Sequence, residues 1–392
     1  MFIHSWRWFG PDDPVTLDQV VQTGATCIVS ALHQIPTGER WPLEAIRKRK
    51  ELIRRAGLKW GVVESVPVHE DIKTLSGQFK KFIENYKFTL LNLGREQVGT
   101  VCYNFMPALD WSRTRLNSKQ RDGSELSSFN QVHFAAIDLF LLQRQGAEKD
   151  YPEETAQKAR AFHASLRNDE KEELLRTFLL GFPGSGETFS VKEVLQRIGA
   201  YKGIGKWEYQ EHLSHFIREI APVAEEAGIR LAIHPDDPPW PLLGLPRAVS
   251  TLEDAEKIIH EVDSPANGFT FCTGSFGAAV TNDLPLMARK LANRINFLHI
   301  RNVSRDRDCN FQETNLFEGE VDIFSILKTM VEEDLRRERE LPGYGGIPVR
   351  PDHGARILGD LSISYYPGYS LYGRMKNLAE IRGLERGIRG CM

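Results

Sequence analysis

Four short apolar runs in the second half of the chain each stop at a group able to bind a metal or move a proton. IRLAIHP reaches His234, GFTFCTG reaches Cys272, INFLHIRN reaches His299, and IPVRPDHG reaches Asp352 and His353. Two imidazoles, a thiolate and a carboxylate form a first coordination sphere for a divalent transition metal. One such residue at a strand end is usually structural, and a lone cysteine is more often a small buried apolar side chain. Four donors at the corresponding place in four successive units point instead to a metal. A structural zinc site gathers closely spaced cysteines, whereas these ligands come from separate strands, as in a catalytic site that keeps a coordination position open. Ligand softness admits Zn²⁺, Fe²⁺, Co²⁺ or Mn²⁺. Behind His234 the chain reads PDDPPWP. Proline fixes its own φ and restricts the preceding residue, so the strand ends there in a stiff loop. Asp236 and Asp237 in that loop orient a ligand or meet sugar hydroxyls on one reading, and cap a turn on the other.

Positioning four such groups together requires a particular scaffold. Earlier apolar runs, FIHSWRW, TCIVSALH, KWGVVESVPVH and GTVCYNFMP, bring the strand-like segments to eight. Between them lie stretches such as PLEAIRKRKELIRRAG, FIREIAPVAEEAG and TLEDAEKIIHEV, whose apolar residues recur at helical spacing. Alternating strands and helices in this number predict an α/β fold, a (β/α)8 TIM barrel, whose functional groups gather at the C-terminal strand ends. An open doubly wound sheet is the alternative. The interval 108–215 is too long for one crossover and contains the helical runs QVHFAAIDLFLLQRQ and KEELLRTFLLG, so a helical insertion after strand four is expected within a single domain spanning 1–392. GFPGSGET at 181–188 imitates a phosphate loop, but Glu187 stands where the lysine belongs. A turn before a helix is expected instead.

Bulk composition narrows the class. The chain is 41% hydrophobic and 26% charged, with a net charge of −3 spread along its length. Nothing in that balance points to a nucleic acid or membrane partner. No apolar run approaches the roughly 20 residues of a membrane span, and MFIHSWRWFG lacks the pattern of a signal peptide. Five dispersed cysteines without a CxxC argue against a disulfide framework and for a reducing cytoplasmic location.

The stretches IHPDDPPWP, FCTGSFG, FLHIRNV and RPDHG, with WRWFGPDDPV, SALHQIP, VVESVPVHEDIK and VCYNFMPALDWSRT before them, resemble the mannonate dehydratase family over nearly the whole chain. The resemblance implies a xylose-isomerase-like barrel that dehydrates D-mannonate to 2-dehydro-3-deoxy-D-gluconate in hexuronate breakdown. It implies Mn²⁺ or Fe²⁺ held by His234, Cys272, His299 and Asp352, with His353 and Tyr369 of PGYS as catalytic residues. Tyr365, Tyr366 and Tyr372 stand close to Tyr369 as rivals, and which of histidine and tyrosine is base and which acid stays open. Polyol recognition is expected from Glu64 and Asn104 at earlier strand ends. Arg301 suits a substrate carboxylate or a structural ion pair. Trp6, Trp8 and His33 are candidates for lining the pocket, and His69 has no assigned role. Competing readings are a metal-dependent sugar isomerase or epimerase on the same barrel and a non-catalytic sugar-acid sensor. Helices outside the barrel offer surface for a homo-oligomer.

Overall fold

The computed structural model describes residues 1–180 and 189–392, so the GFPGSGET stretch lies outside the described residues. Among the described residues twelve strands are present: β1 (Ile3–Arg7), β2 (Cys27–Ser30), β3 (Lys59–Glu64), β4 (Thr100–Tyr103), β5 (Arg115–Lys119), β6 (Glu125–Phe129), β7 (Arg230–Ile233), β8 (Phe269–Cys272), β9 (Ile295–Ile300), β10 (Asn302–Arg305), β11 (Phe311–Thr314) and β12 (Pro348–Pro351). Eight of them close into a parallel barrel in the order β1-β12-β9-β8-β7-β4-β3-β2, which matches the eight runs expected from sequence. Each barrel strand is followed by a helix: α1 (Leu17–Gln22), α2 (Leu43–Arg55), α3 (Phe79–Arg95), α4 (Lys206–Glu226), α5 (Leu252–Glu261), α6 (Leu284–Leu291), α7 (Ile323–Glu340) and α8 (Leu371–Gly390).

Side chains alternate across a strand, and this period positions the site. Val29, Val62, Cys102, Ala232 and Phe297 point inward and form a buried cluster of their own within the barrel. Two residues beyond Val62, Cys102, Ala232 and Phe297 stand Glu64, Asn104, His234 and His299. Thr270 takes the corresponding inward place on β8, donating to the Ala232 carbonyl at 3.0 Å, and Cys272 follows two residues later. The apolar layer is therefore a floor, and the titratable groups are the layer above it. Phe297 meets the His299 ring edge-on at a centroid distance of 4.5 Å. Truncation of Phe297 to alanine should cost about 3–5 kcal/mol, as for other fully buried phenylalanines, and a urea-unfolding midpoint unchanged from the parent would contradict this packing.

The interval after β4 holds more than helices. Helical segments do run through 131–141, 153–165, 168–179 and 191–199, but the hairpin β5–β6 precedes them. This hairpin joins the excursion β10–β11, which follows β9, in an antiparallel sheet of order β10-β11-β6-β5. Phe129 of β6 pairs with Phe311 of β11, and their rings stack at 5.8 Å. Two loops from distant barrel strands are thereby tied into one layer at the C-terminal mouth. Among the described residues, no helix is long and apolar enough to cross a membrane.

Candidate active site

Donor atoms of His234, Cys272 and His299 all lie within 4.8 Å of one another, although the three residues come from three strands. Asp352 borders this triangle, with Oδ2 3.3 Å from Cys272 Sγ and Oδ1 3.5 Å from His299 Nδ1. His299, Cys272 and Asp352 are buried, and of the four His234 alone keeps partial exposure. Burial is the largest single influence on each of these groups, and neighbouring charges add to it or oppose it. It lowers the His234 ring below its ordinary range, and with Arg350 nearby it brings His299 down to about 4, so both imidazoles are neutral. Burial would raise Asp352, yet His353, Arg301 and Arg350 hold it well below the usual carboxylate range. The Cys272 thiol is pushed up to about 12 by burial and the neighbouring Asp352.

A divalent transition ion fits this donor set. His234 donates its Nδ1–H to the Pro235 carbonyl at 2.7 Å. That bond leaves the Nε2 lone pair for a ligand. His299 Nε2 is buried without a hydrogen-bond partner among the described residues, although Glu64 Oε2 lies 3.4 Å away. A buried ring nitrogen without a close hydrogen bond suits a ligand role. The Cys272 sulfur accepts from the Ser275 amide and hydroxyl at 3.4 and 3.1 Å, which suits a sulfur that carries negative charge.

Next to this cluster lies a second pair. The His353 and Tyr369 rings meet edge to face with centroids 5.3 Å apart, and both are buried. Tyr369 arrives there because the loop after β12 folds back, with Gly354 bridging to Tyr369 and its amide donating to the Gly368 carbonyl at 2.9 Å. Gly368, at φ +83°, lies flat against the imidazole, and a Cβ there would sit 2.7 Å from His353 Cγ and Cδ2. Only glycine combines that backbone angle with so close an approach. Among the described residues Tyr369 is the tyrosine whose ring meets His353, whereas Tyr365 and Tyr366 are only half-buried and Tyr372 is 39% exposed. Burial pushes the Tyr369 hydroxyl up to about 12, although Arg350 works against it.

The expected substrate contacts fare unevenly. Burial would raise Glu64, but Arg350 meets it with a two-pronged interaction at 2.8 and 3.0 Å and keeps it ionised. Asn104 donates to Asp110 at 3.3 Å beside the mouth. Arg301 donates to Asp237 at 2.7 Å, to Ser275 and Glu313 at 3.2 Å each, and lies 3.3 Å from Asp352 Oδ2. Protein carboxylates therefore already surround its charge. Asp236 accepts from the Val249 amide and the Ser250 hydroxyl, both at 2.8 Å, and so fixes the loop. Asp237 lies 3.1 Å from the Ser275 hydroxyl that serves Cys272, and thus stands behind a ligand. Trp6 and Trp8 are core residues. His69 caps the helix Glu70–Thr74 by accepting from the Asp71 amide. His33 lies 3.3 Å from Arg7 and lines a cavity of about 300 Å³ with Ser65, His69 and Asp110, beyond the ends of β2, β3 and β4.

The family model of D-mannonate dehydratase (UxuA) matches residues 2–391. The chain belongs to the D-mannonate dehydratase family. A mannonate dehydratase from Marinomonas sp. (strain MWYL1) is 48% identical over 391 residues, covering 99% of this chain and 100% of the relative. One from Chromohalobacter salexigens is 50% identical over 387 residues, with 98% of each chain covered. The crystal structure of mannonate dehydratase from Streptococcus suis serotype 2 superposes with a TM-score of 0.77 at 34% identity, covering 100% of this chain and 94% of that one. A xylose isomerase-like TIM barrel protein from Mycobacterium smegmatis aligns over 99% of this chain and 97% of its own with a TM-score of 0.52 at 15% identity, a likeness of fold alone.

Sequence reasoning about this mannonate dehydratase family member names Glu64, Asp237 and Arg301 but misses Arg350, Arg113 and Glu313 among the charged groups around the donors. Arg350 sits inside the RPDHG motif, two residues before Asp352, and so on the same inward face. Its signal is an arginine at an inward-facing strand position, where a charge must find partners. Arg113 and Glu313 carry no such signal, since they reach the site from the appended hairpins rather than from barrel strands.

Proposed function

We propose that this chain dehydrates D-mannonate to 2-dehydro-3-deoxy-D-gluconate with Mn²⁺ or Fe²⁺ held by His234, Cys272, His299 and Asp352. The observation that carries this reading is the contact of the His353 and Tyr369 rings directly beside the donor cluster. Dehydration needs a base for the proton at C2, an acid for the hydroxyl at C3, and relief of charge on the carboxylate. When bound, the ion supplies that relief, withdrawing electron density from the carboxylate as the C2 proton becomes labile.

The chain's own residues divide the proton transfers. Tyr369, whose hydroxyl holds its proton firmly at neutral pH, serves as the acid. His353 is the base: it takes the C2 proton, the C2–C3 double bond forms, and the C3–O bond breaks. The hydroxyl departs as water with the proton from Tyr369. The resulting enol then gains a proton at C3 and loses one from its oxygen, giving the 2-keto acid and restoring both residues. Both rings are buried, which keeps bulk water from intercepting the transferred protons.

The test is turnover of D-mannonate by metal-stripped protein, with and without added Mn²⁺, followed as 2-keto-3-deoxy product. Product that appears only with the metal is expected. Its absence with every divalent metal tried would replace this reading by an isomerase or epimerase acting on a related sugar.

A further inference from the structure

The antiparallel sheet at the mouth does more than cover the barrel. Its strand β11 carries Glu313, and Glu313 Oε1 lies 2.8 Å from His353 Nδ1. The carboxylate is 1% exposed and comes from a strand 40 positions away in sequence. Two guanidinium groups hold the same oxygen: Arg113 Nη2, from the segment entering β5, and Arg301 Nη1, just after β9, each donate to Oε1 at 3.2 Å. Asp237 anchors both arginines in turn, at 2.7 Å from each. Loops following three barrel strands, together with β11, thus converge on one carboxylate oxygen.

That oxygen decides the state of the imidazole. Arg301 Nη1 also approaches His353 Nδ1, at 3.2 Å. A ring nitrogen cannot donate to a carboxylate and accept from a guanidinium at once. The contact to Glu313 is shorter and pairs an N–H with an anion, so Nδ1 carries the proton. In the neutral ring Nε2 is then the nitrogen with the lone pair, the form a base requires. Packing completes the constraint, with Gly368 against the ring face, Trp111 edge-on at 6.4 Å, and Asn377 donating to the His353 carbonyl at 2.9 Å.

We infer that Glu313 is a positioning residue, one that fixes the tautomer and orientation of His353 from the appended sheet, and that Arg113 and Arg301 serve to aim its Oε1. This rests on the proposed role of His353 as base. A carboxylate kept only to balance the two arginines would behave differently on substitution, and two variants separate the cases. Glu313→Gln removes the charge but keeps an acceptor oxygen where both arginines point. Glu313→Met removes the acceptor as well.

If Glu313 acts through the ring nitrogen, Glu313→Gln should keep kcat within about tenfold of the parent, whereas Glu313→Met should lower it by about 10²–10⁴-fold, the range spanned by loss of one acid–base partner or its tautomer. KM should move by no more than about threefold in either, because Glu313 is 1% exposed and its Oε1 is taken up by His353, Arg113 and Arg301. Equal loss in both variants, or near-parental kcat in the methionine variant, overturns the assignment. Should Glu313→Met fail to fold, the ¹⁵N resonances of His353 in the parent and in Glu313→Gln decide the matter, with diamagnetic Zn²⁺ bound and the signal assigned through His353→Asn. A proton on Nδ1 in both supports the inference; a proton on Nε2 in the parent overturns it. This spectroscopic readout does not depend on D-mannonate, so it stands even if the parent turns over none.

Discussion

Replacing His353 by Asn should reduce D-mannonate turnover by about 10³-fold or more, which is roughly 4 kcal/mol of transition-state stabilisation, while bound metal stays at the parental level. The separation follows from where the ring sits. Asp352 points its carboxylate at Cys272 and His299, whereas the neighbouring His353 turns its Nδ1 away to Glu313. The three-residue donor cluster therefore keeps every atom when the imidazole is lost. Asparagine retains the backbone carbonyl that Asn377 holds and places an amide where Nδ1 stood. It cannot accept the C2 proton near neutral pH. The measurement is steady-state kinetics together with metal analysis of the same preparation. Near-parental turnover would remove His353 from the proton transfers, and loss of metal in parallel would mean that the histidine supports the ion instead.

The site groups that are legible in the sequence from the residues alone share one physical property: they stand at the ends of barrel strands. A strand buried on both faces must be an apolar run, so a donor that ends the run stands out, as His234 does after LAI and Cys272 after FTF. The appended sheet offers no such contrast. Arg115–Lys119 reads RLNSK, with one buried residue in five, and Glu125–Phe129 reads ELSSF. Neither alternates cleanly enough to be read as strand within an interval otherwise rich in helix. Glu313 is hidden for the same reason, on a four-residue strand of the appended sheet that pairs with β10 and β6 and not with the barrel. Tyr369 stands out only through the family resemblance, since no periodicity distinguishes it from Tyr365, Tyr366 or Tyr372. What places it is a loop folding back onto Gly354, a tertiary contact with no local signature. Arg301 shows a different limit. Its residue type suits two roles equally, and the carboxylates of Asp237, Glu313 and Asp352 that surround it come from elements no local pattern connects to it.

Cys272→Ser should lower metal content and activity together, with the affinity for Mn²⁺ falling by more than about 100-fold, the upper end of what removing a mere supporting partner costs. The argument rests on the thiol's surroundings. Sγ stands within 4.8 Å of the donor atoms of both His234 and His299, and 3.3 Å from Asp352 Oδ2. Burial keeps the thiol protonated without an ion, pushed up to about 12. Binding must therefore expel that proton and replace it with the metal's charge. The Ser275 amide and hydroxyl are already aimed at the sulfur to support the thiolate that results. A serine hydroxyl gives up its proton far less readily than a thiol, and it is a shorter reach to the same ion. The fold should tolerate the change, because serine is smaller than cysteine and can still accept from Ser275. Thermal unfolding isolates the effect from folding. Metal-free parent and variant should unfold within a few degrees of each other. Mn²⁺ at about 100 times the parental Kd should then stabilise the parent by about 2.7 kcal/mol and the variant by far less. Full activity in a variant that retains no metal would sink the assignment of this cluster as a metal site, and with it the place of the ion in the proposed reaction.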